Sequence, residues 1–143
     1  MLFLNTVSSP SKYIICRFGF TFNFSSNILG NFLDETNKSL EFDFEKTDDH
    51  EVYYNIDEDP LAFSKFYYFV EQGEIEYYLV NNRNPEGFLI PEMNKVDFFI
   101  IIHQYIDKED LNFILTRLNK LSDIQVAAQI DPLKLKSKEN LVM

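Results

Sequence analysis

The stretch VDFFIIIHQY, Val96 to Tyr105, limits what this chain can fold into more than any other. Read as an extended strand, it sends Asp97, Phe99, Ile101, His103 and Tyr105 to one face and Val96, Phe98, Ile100, Ile102 and Gln104 to the other. Both faces are apolar in the middle. Such a strand belongs inside a sheet covered on both sides, not in one with a wet face. A second segment repeats the pattern, with Ile75, Tyr77 and Leu79 alternating with Glu76, Tyr78 and Val80.

The flanking segments supply the rest of such a sheet. KYIICRFGF predicts a strand from Tyr13 to about Phe18, ended by Gly19. The period then changes. Ile28, Leu29, Phe32, Leu33 and, past a polar turn, Leu40 form one helix face, with Ser25 or Ser26 as its cap and Gly30 costing about 1 kcal/mol relative to alanine. SKFYYFVEQGEIEYYLVNN predicts a hairpin turning at Gln72 and Gly73. NNRNPEG follows as a turn-rich loop, and a short extended piece, Phe88 to Ile90, stops at Pro91. After the central strand, Asp107 caps a helix whose buried stripe is Leu111, Ile114, Leu115, Leu118 and Leu121, and IQVAAQI forms the last strand. A strand–helix–strand ending of this kind implies a right-handed crossover.

The expected fold is therefore a single α+β domain over residues 1–143: a mainly antiparallel sheet with two principal helices in the order β-α-β-β-β-α-β, of ferredoxin-like character. Helices about 10 Å across, set against strands about 4.8 Å apart, cover only one face of five or six strands. Something else must cover the other. The candidates are the acidic segment 41–59, the basic tail 133–143, or a second copy of the chain.

Charge narrows the function classes. Hydrophobic residues make up 45% of the 143 residues, ample to drive folding, yet the formal net charge is −10. Phosphate backbones and anionic bilayers are repelled over a Debye length of about 8 Å, which argues against nucleic-acid and membrane partners. Most of the excess lies in segment 41–59, where Glu41, Asp43, Glu45, Asp48, Asp49, Glu51, Asp57, Glu58 and Asp59 face the lone base Lys46. Aromatic and β-branched residues interleave with these acids, which predicts one or two short edge strands with a charged outer side. The single cysteine, Cys16, reads as a small buried hydrophobe. The first residues lack the basic and apolar regions of a secretory leader, and no apolar run reaches the roughly 20 residues of a membrane helix. A cytoplasmic location is the expectation.

Chemistry is thin. Glu92, Asp97 and His103 are the obvious acid–base candidates, but six residues of strand hold Asp97 and His103 about 20 Å apart, beyond hydrogen-bond reach. The structural alternative has Asp97 accepting from backbone N–H groups of the loop before it, Pro91 fixing the chain direction, and Glu92 making a local cap or ion pair. His50, within TDDHE, lacks both the glycine-bearing loop of a calcium site and a second histidine at helical spacing. No phosphate-cradling glycine loop, nucleophile elbow or dinucleotide fingerprint is present, so neither a catalytic residue, a metal site nor a cofactor is expected.

The residues IPEMNKVDFF resemble the signature of the bacterial IPExxxVDY family, with Ile90, Pro91, Glu92, Val96 and Asp97 at matching positions and Phe98 where the family has tyrosine. The ending IDPLKLKSKENLVM is similar to the family's ending, and the resemblance is strongest from about Ser64 onward. It implies a small cytoplasmic bacterial protein of a family without an established activity. Three expectations follow. The first is a non-catalytic interaction or regulatory module, self-associating through sheet surface and offering Asp48, Asp49, Glu51, Asp57, Glu58 and Asp59 to a basic protein partner. The second is a small-molecule-binding or catalytic domain with its site near Pro91–Asp97. The third is an acidic mimic of nucleic acid.

Overall fold

The structure, a computed structural model, describes residues 12–18, 26–104 and 106–143, of which 12–18, 26–29 and 132 are described as backbone alone. The expectations for the leader region, for Gly19, Ser25 and Tyr105, and for the side chains of Cys16, Ile28 and Leu29 lie outside the described residues. The strands are β1 (Lys12–Phe18), β2 (Glu45–Lys46), β3 (His50–Val52), β4 (Leu61–Phe63), β5 (Lys65–Val70), β6 (Ile75–Asn81), β7 (Arg83–Asn84), β8 (Gly87–Phe88), β9 (Phe98–His103) and β10 (Ile124–Ile130). The helices are α1 (Ser26–Leu40) and α2 (Lys108–Asn119).

Six strands form one sheet in the order β10-β1-β9-β6-β5-β2, each neighbour antiparallel to the next. The fold is α+β, and its longer strands and helices follow the chain order read from the sequence. Within the sheet, β9-α2-β10 is a strand–helix–strand unit whose two strands lie on either side of β1, while β2, β3, β4 and β5 stand between α1 and β6 in the chain. β5 and the two-residue β2 extend one edge, and β3 pairs with β4 in a separate ribbon. The acidic segment thus supplies two short strands, β2 on the sheet edge and β3 beside it.

Strand β9 occupies the interior, between β1 and β6, and its residues Phe98 to Ile102 are all 0% exposed. Burying side chains of this size stabilises by about 1.5–3 kcal/mol each. Phe98, Ile100 and Ile102 face the helices, meeting Phe32 and Leu40 of α1 and Leu111, Ile114 and Leu118 of α2. Phe99 and Ile101 enter a second core with Val52, Phe63, Val80, Leu89, Ile90, Val96, Leu135 and Leu141. The chain covers its own second face. The cover comes from the acidic segment and the tail, joined by the loop 82–96, which the sequence reading had not considered. Val96 lies with Phe99 and Ile101, opposite to the face assigned by alternation, because the strand starts only at Phe98 and the pleat does not reach back to it.

Local chemistry accounts for the boundaries. Asp107 caps α2 by accepting from the Asp110 N–H at 2.8 Å, as its position predicts. α1 ends with Glu41 in the left-handed region at φ 58°, and the Phe42 N–H returns to the Asn37 carbonyl at 3.0 Å, closing the last turn. The hairpin turns over 71–74, with Gly73 at φ 88° supplying the positive φ expected of it and Glu74 also at φ 53°. Two asparagines act as short strand partners where regular pairing fails. Asn37 accepts from the Phe44 N–H at 2.9 Å and donates to its carbonyl at 3.2 Å. Asn119 does the same for Ala127, just past the bulge in β10, at 2.8 and 2.9 Å.

Candidate functional site

The motif residues Ile90–Asp97 form the loop that lies over the second face of the sheet, and a third asparagine organises it. Asn82, 0% exposed at the exit of β6, donates from Nδ2 to the carbonyls of Met93 and Val96, both at 2.9 Å. Its Oδ1 accepts from the Ile90 N–H at 2.8 Å. Its own N–H donates to the Asp97 carbonyl and its carbonyl accepts from the Leu89 N–H. One amide therefore satisfies three backbone groups of an irregular segment, and the two that are fully buried would otherwise cost about 1–3 kcal/mol each.

Pro91 stands at the first position of a short 3-10 turn, Pro91–Met93, where its missing N–H would have had no partner. This orients Ile90 inward and Glu92 outward. Both oxygens of Glu92 are engaged by the tail: Oε2 accepts from the Ser137 N–H at 2.7 Å and Oε1 from the Ser137 hydroxyl at 2.9 Å. Partial burial pushes the Glu92 pKa up, but its own N–H and the donors of Ser137 and Lys136 outweigh that, and the net displacement is below the usual carboxylate value. The local cap expected of Glu92 is in fact a long-range fastening, 45 residues away in the chain.

Asp97 is also engaged, by a partner the sequence did not suggest. Its Oδ1 accepts from Arg83 Nε at 2.7 Å in an ion pair whose aspartate is buried and whose arginine is partly exposed. Arg83 in addition donates to the Asn94 carbonyl at 3.1 Å and lays its guanidinium over the Phe88 ring. The β7–β8 ribbon and the end of the motif loop are thereby tied together.

The acidic segment and the tail meet over the same loop. His50 Nε2 donates to the Asn140 carbonyl at 2.6 Å, and burial lowers its pKa, with the Asn140 carbonyl opposing and Lys65 adding to the effect. Tyr54 donates to the Phe88 carbonyl at 2.7 Å, and Asn140 Nδ2 to the Leu89 carbonyl at 2.9 Å. His103 stands instead at the far end of β9, against the Tyr78 ring and 3.9 Å from Glu76. Glu92, Asp97 and His103 are not brought together as a catalytic set. Among the described residues no group of three or more histidine, cysteine or carboxylate side chains is placed to hold a metal ion. No helix of the described residues is long and apolar enough to cross a membrane.

Beyond this fastening the acidic segment projects. Asp48, Asp49, Glu51, Asp57, Glu58 and Asp59 are all exposed, and Asp49 is paired with Lys46 at 2.6 Å. Tyr53, Tyr54 and Ile56 are exposed among them at 64%, 51% and 91%. The loop is shaped by Asn55, whose Oδ1 accepts from the Asp57 N–H and whose carbonyl accepts from the Glu58 N–H.

Sequence reasoning passed over Asn82, Arg83, Ser137 and Asn140. The only signal available was the density of amide and hydroxyl residues in NNRN and SKEN, which reads equally well as ordinary loop composition. No family model matches the chain, and neither does any curated protein or solved structure.

Proposed function

We propose that the protein is a non-catalytic cytoplasmic interaction module that meets a basic protein partner through the acidic loop 53–59, and that it belongs to the IPExxxVDY family. The observation that carries the reading is Ile56, 91% exposed at the tip of a hydrogen-bonded loop and followed directly by Asp57, Glu58 and Asp59. An apolar tip beside carboxylates suits a shallow apolar pocket rimmed by lysine or arginine: the charges steer the encounter and the isoleucine and tyrosines bury area. The motif carboxylates support the non-catalytic part, since Glu92 and Asp97 each fasten one segment of the cover to another. With the second sheet face filled by the chain itself, the reading does not include a dimer formed on that face.

The test is affinity capture from lysate with the wild type and an Ile56→Ser, Asp57→Asn, Glu58→Gln, Asp59→Asn variant of equal melting temperature. The wild type is expected to retain a basic partner at 50 mM salt and release it near 500 mM, where the Debye length falls to about 4 Å. The variant is expected to retain none. Equal capture by both proteins refutes the reading.

A further inference from the structure

On the helix side of the sheet, away from the acidic loop, a cleft of about 510 Å³ opens between α2 and the β5–β6 hairpin. Phe42, Val70, Ile75, Phe113 and Ile114 make its apolar walls, and the polar groups that reach it are Gln72, Tyr77 and Asp110. The volume lies in the range of small-molecule sites, and a few convergent polar groups on an apolar wall is their usual composition.

Tyr77 is the telling residue. The residue is 4% exposed, its ring stacks on Tyr68 and meets Phe42 at a tilt, and its hydroxyl makes no hydrogen bond to another of the described residues. The hydroxyl is therefore at the cleft, open to water or to a ligand, while the ring is buried. Burial, followed by the negative charge of Asp110 and then by Tyr68, pushes its pKa up to about 12, so the phenol stays protonated and keeps oxygen lone pairs to offer. Asp110 itself is exposed on the first turn of α2. That helix end is not an open anion site, because Asp107 already takes the Asp110 N–H through its side chain and the Leu111 N–H through its carbonyl. The surroundings are negative on balance: Glu71 and Glu74 stand on the hairpin turn beside Gln72, and Asp107 and Glu109 beside Asp110, against Lys108 and against Arg117, whose guanidinium lies over the Phe113 ring.

We propose that this cleft binds a small amphipathic cation, a primary amine carried on an aryl or alkyl body. The ammonium sits between the Asp110 carboxylate and the Tyr77 hydroxyl oxygen, and the body lies against Phe42, Ile75, Phe113 and Ile114. An anion is disfavoured by the carboxylates. A neutral ligand of the same shape gains the apolar contacts but leaves Asp110 without a counter-charge, so the amine has the advantage of a charge-assisted hydrogen bond.

The experiment is an amide chemical-shift titration of the full chain with 2-phenylethylamine and, in parallel, with its neutral counterpart 2-phenylethanol. Saturable shifts are expected for the amine at Gln72, Gly73, Ile75, Asp110 and Phe113, with the alcohol binding at least fivefold more weakly. Asp110→Asn is expected to weaken the amine at least fivefold and to leave the alcohol unchanged. Tyr77→Phe, which removes a hydroxyl without a protein partner and therefore preserves the fold, is expected to weaken the amine about threefold. Equal binding of amine and alcohol overturns the proposal, as does an Asp110→Asn protein with undiminished amine affinity. Shifts that spread over the acidic surface without saturating also overturn it, since they mark diffuse cation attraction. If Asp110→Asn does not fold, the wild-type comparison of amine with alcohol and the Tyr77→Phe titration decide the matter.

Discussion

Replacing Asn82 tests whether the cover of the second sheet face is held by one side chain. Asn82→Ala removes two donors and one acceptor at a position 0% exposed. The Ile90 N–H and the Val96 carbonyl lie in fully buried bonds and lose their partner outright, while the Met93 carbonyl, half-buried, regains water. Two orphaned groups at about 1–3 kcal/mol each give a loss of about 4 kcal/mol, a large part of the 5–15 kcal/mol that holds a domain folded. At about 2.1 cal/mol/K per residue, that is a fall of about 13 °C in melting temperature for a chain of 143 residues. Asn82→Asp is expected to be worse than alanine at neutral pH. It keeps the acceptor for Ile90 but turns a carboxylate oxygen toward two carbonyls. Burial raises the pKa of that carboxyl in the folded state, so the variant is least impaired below the unfolded value near 4 and loses stability as pH rises through the folded one. Urea unfolding of the three proteins at pH 4.5 and 7.5 reads all of this. Losses under 1 kcal/mol for both variants, or an aspartate deficit that does not grow with pH, would refute the assignment of the loop's stability to this amide.

The remaining predictions concern the fastenings around that loop. Arg83→Ala removes a charge-assisted hydrogen bond from the Asp97 carboxylate, whose side chain is 4% exposed, and is expected to cost about 2 kcal/mol. Asp97→Asn added to Arg83→Met should return at least half of that in a urea titration, and a double variant as unstable as Arg83→Ala would speak against the ion pair. His50, held below its ordinary value of 6.5 by burial, takes up a proton in the unfolded chain before the folded one does. Its stabilisation is therefore complete above about pH 6.5 and is lost as pH falls through the depressed folded value. Urea midpoints of the wild type should decline from pH 7.5 to 5 more steeply than those of His50→Gln, which keeps a donor for the Asn140 carbonyl and does not titrate; parallel curves would show that His50 is not responsible.

What was legible in the sequence is what periodicity records. The run Phe98–Ile102 announced a strand buried on both faces because every position carries a greasy side chain, and the Leu111, Ile114, Leu118 spacing announced a one-sided helix because α2 packs on one face only. The same argument says that two helices cannot cover such a sheet and offers the acidic segment, the tail or a second copy as the cover; the first two are there, together with the loop 82–96. Periodicity cannot record a side chain that stands in for a strand. Asn37, Asn82 and Asn119 accept from backbone N–H groups seven or eight residues downstream, at Phe44, Ile90 and Ala127, and nothing in their spacing distinguishes them from asparagines in ordinary turns.

The partners of the motif carboxylates were invisible for a related reason. Glu92 and Asp97 are near one another in sequence, which invites reading them as a pair. Each in fact reaches away from the other, Glu92 to Ser137 in the tail and Asp97 to Arg83 before the loop. Together these two carboxylates join three segments of chain into the layer over Phe99 and Ile101. A substitution in the motif should therefore be read first as a change in the cover of the central strand. An effect of Glu92→Gln on any partner or ligand assigns these residues a further role only if the tail stays docked, which the protection of the Ser137 and Asn140 amides against exchange reports directly.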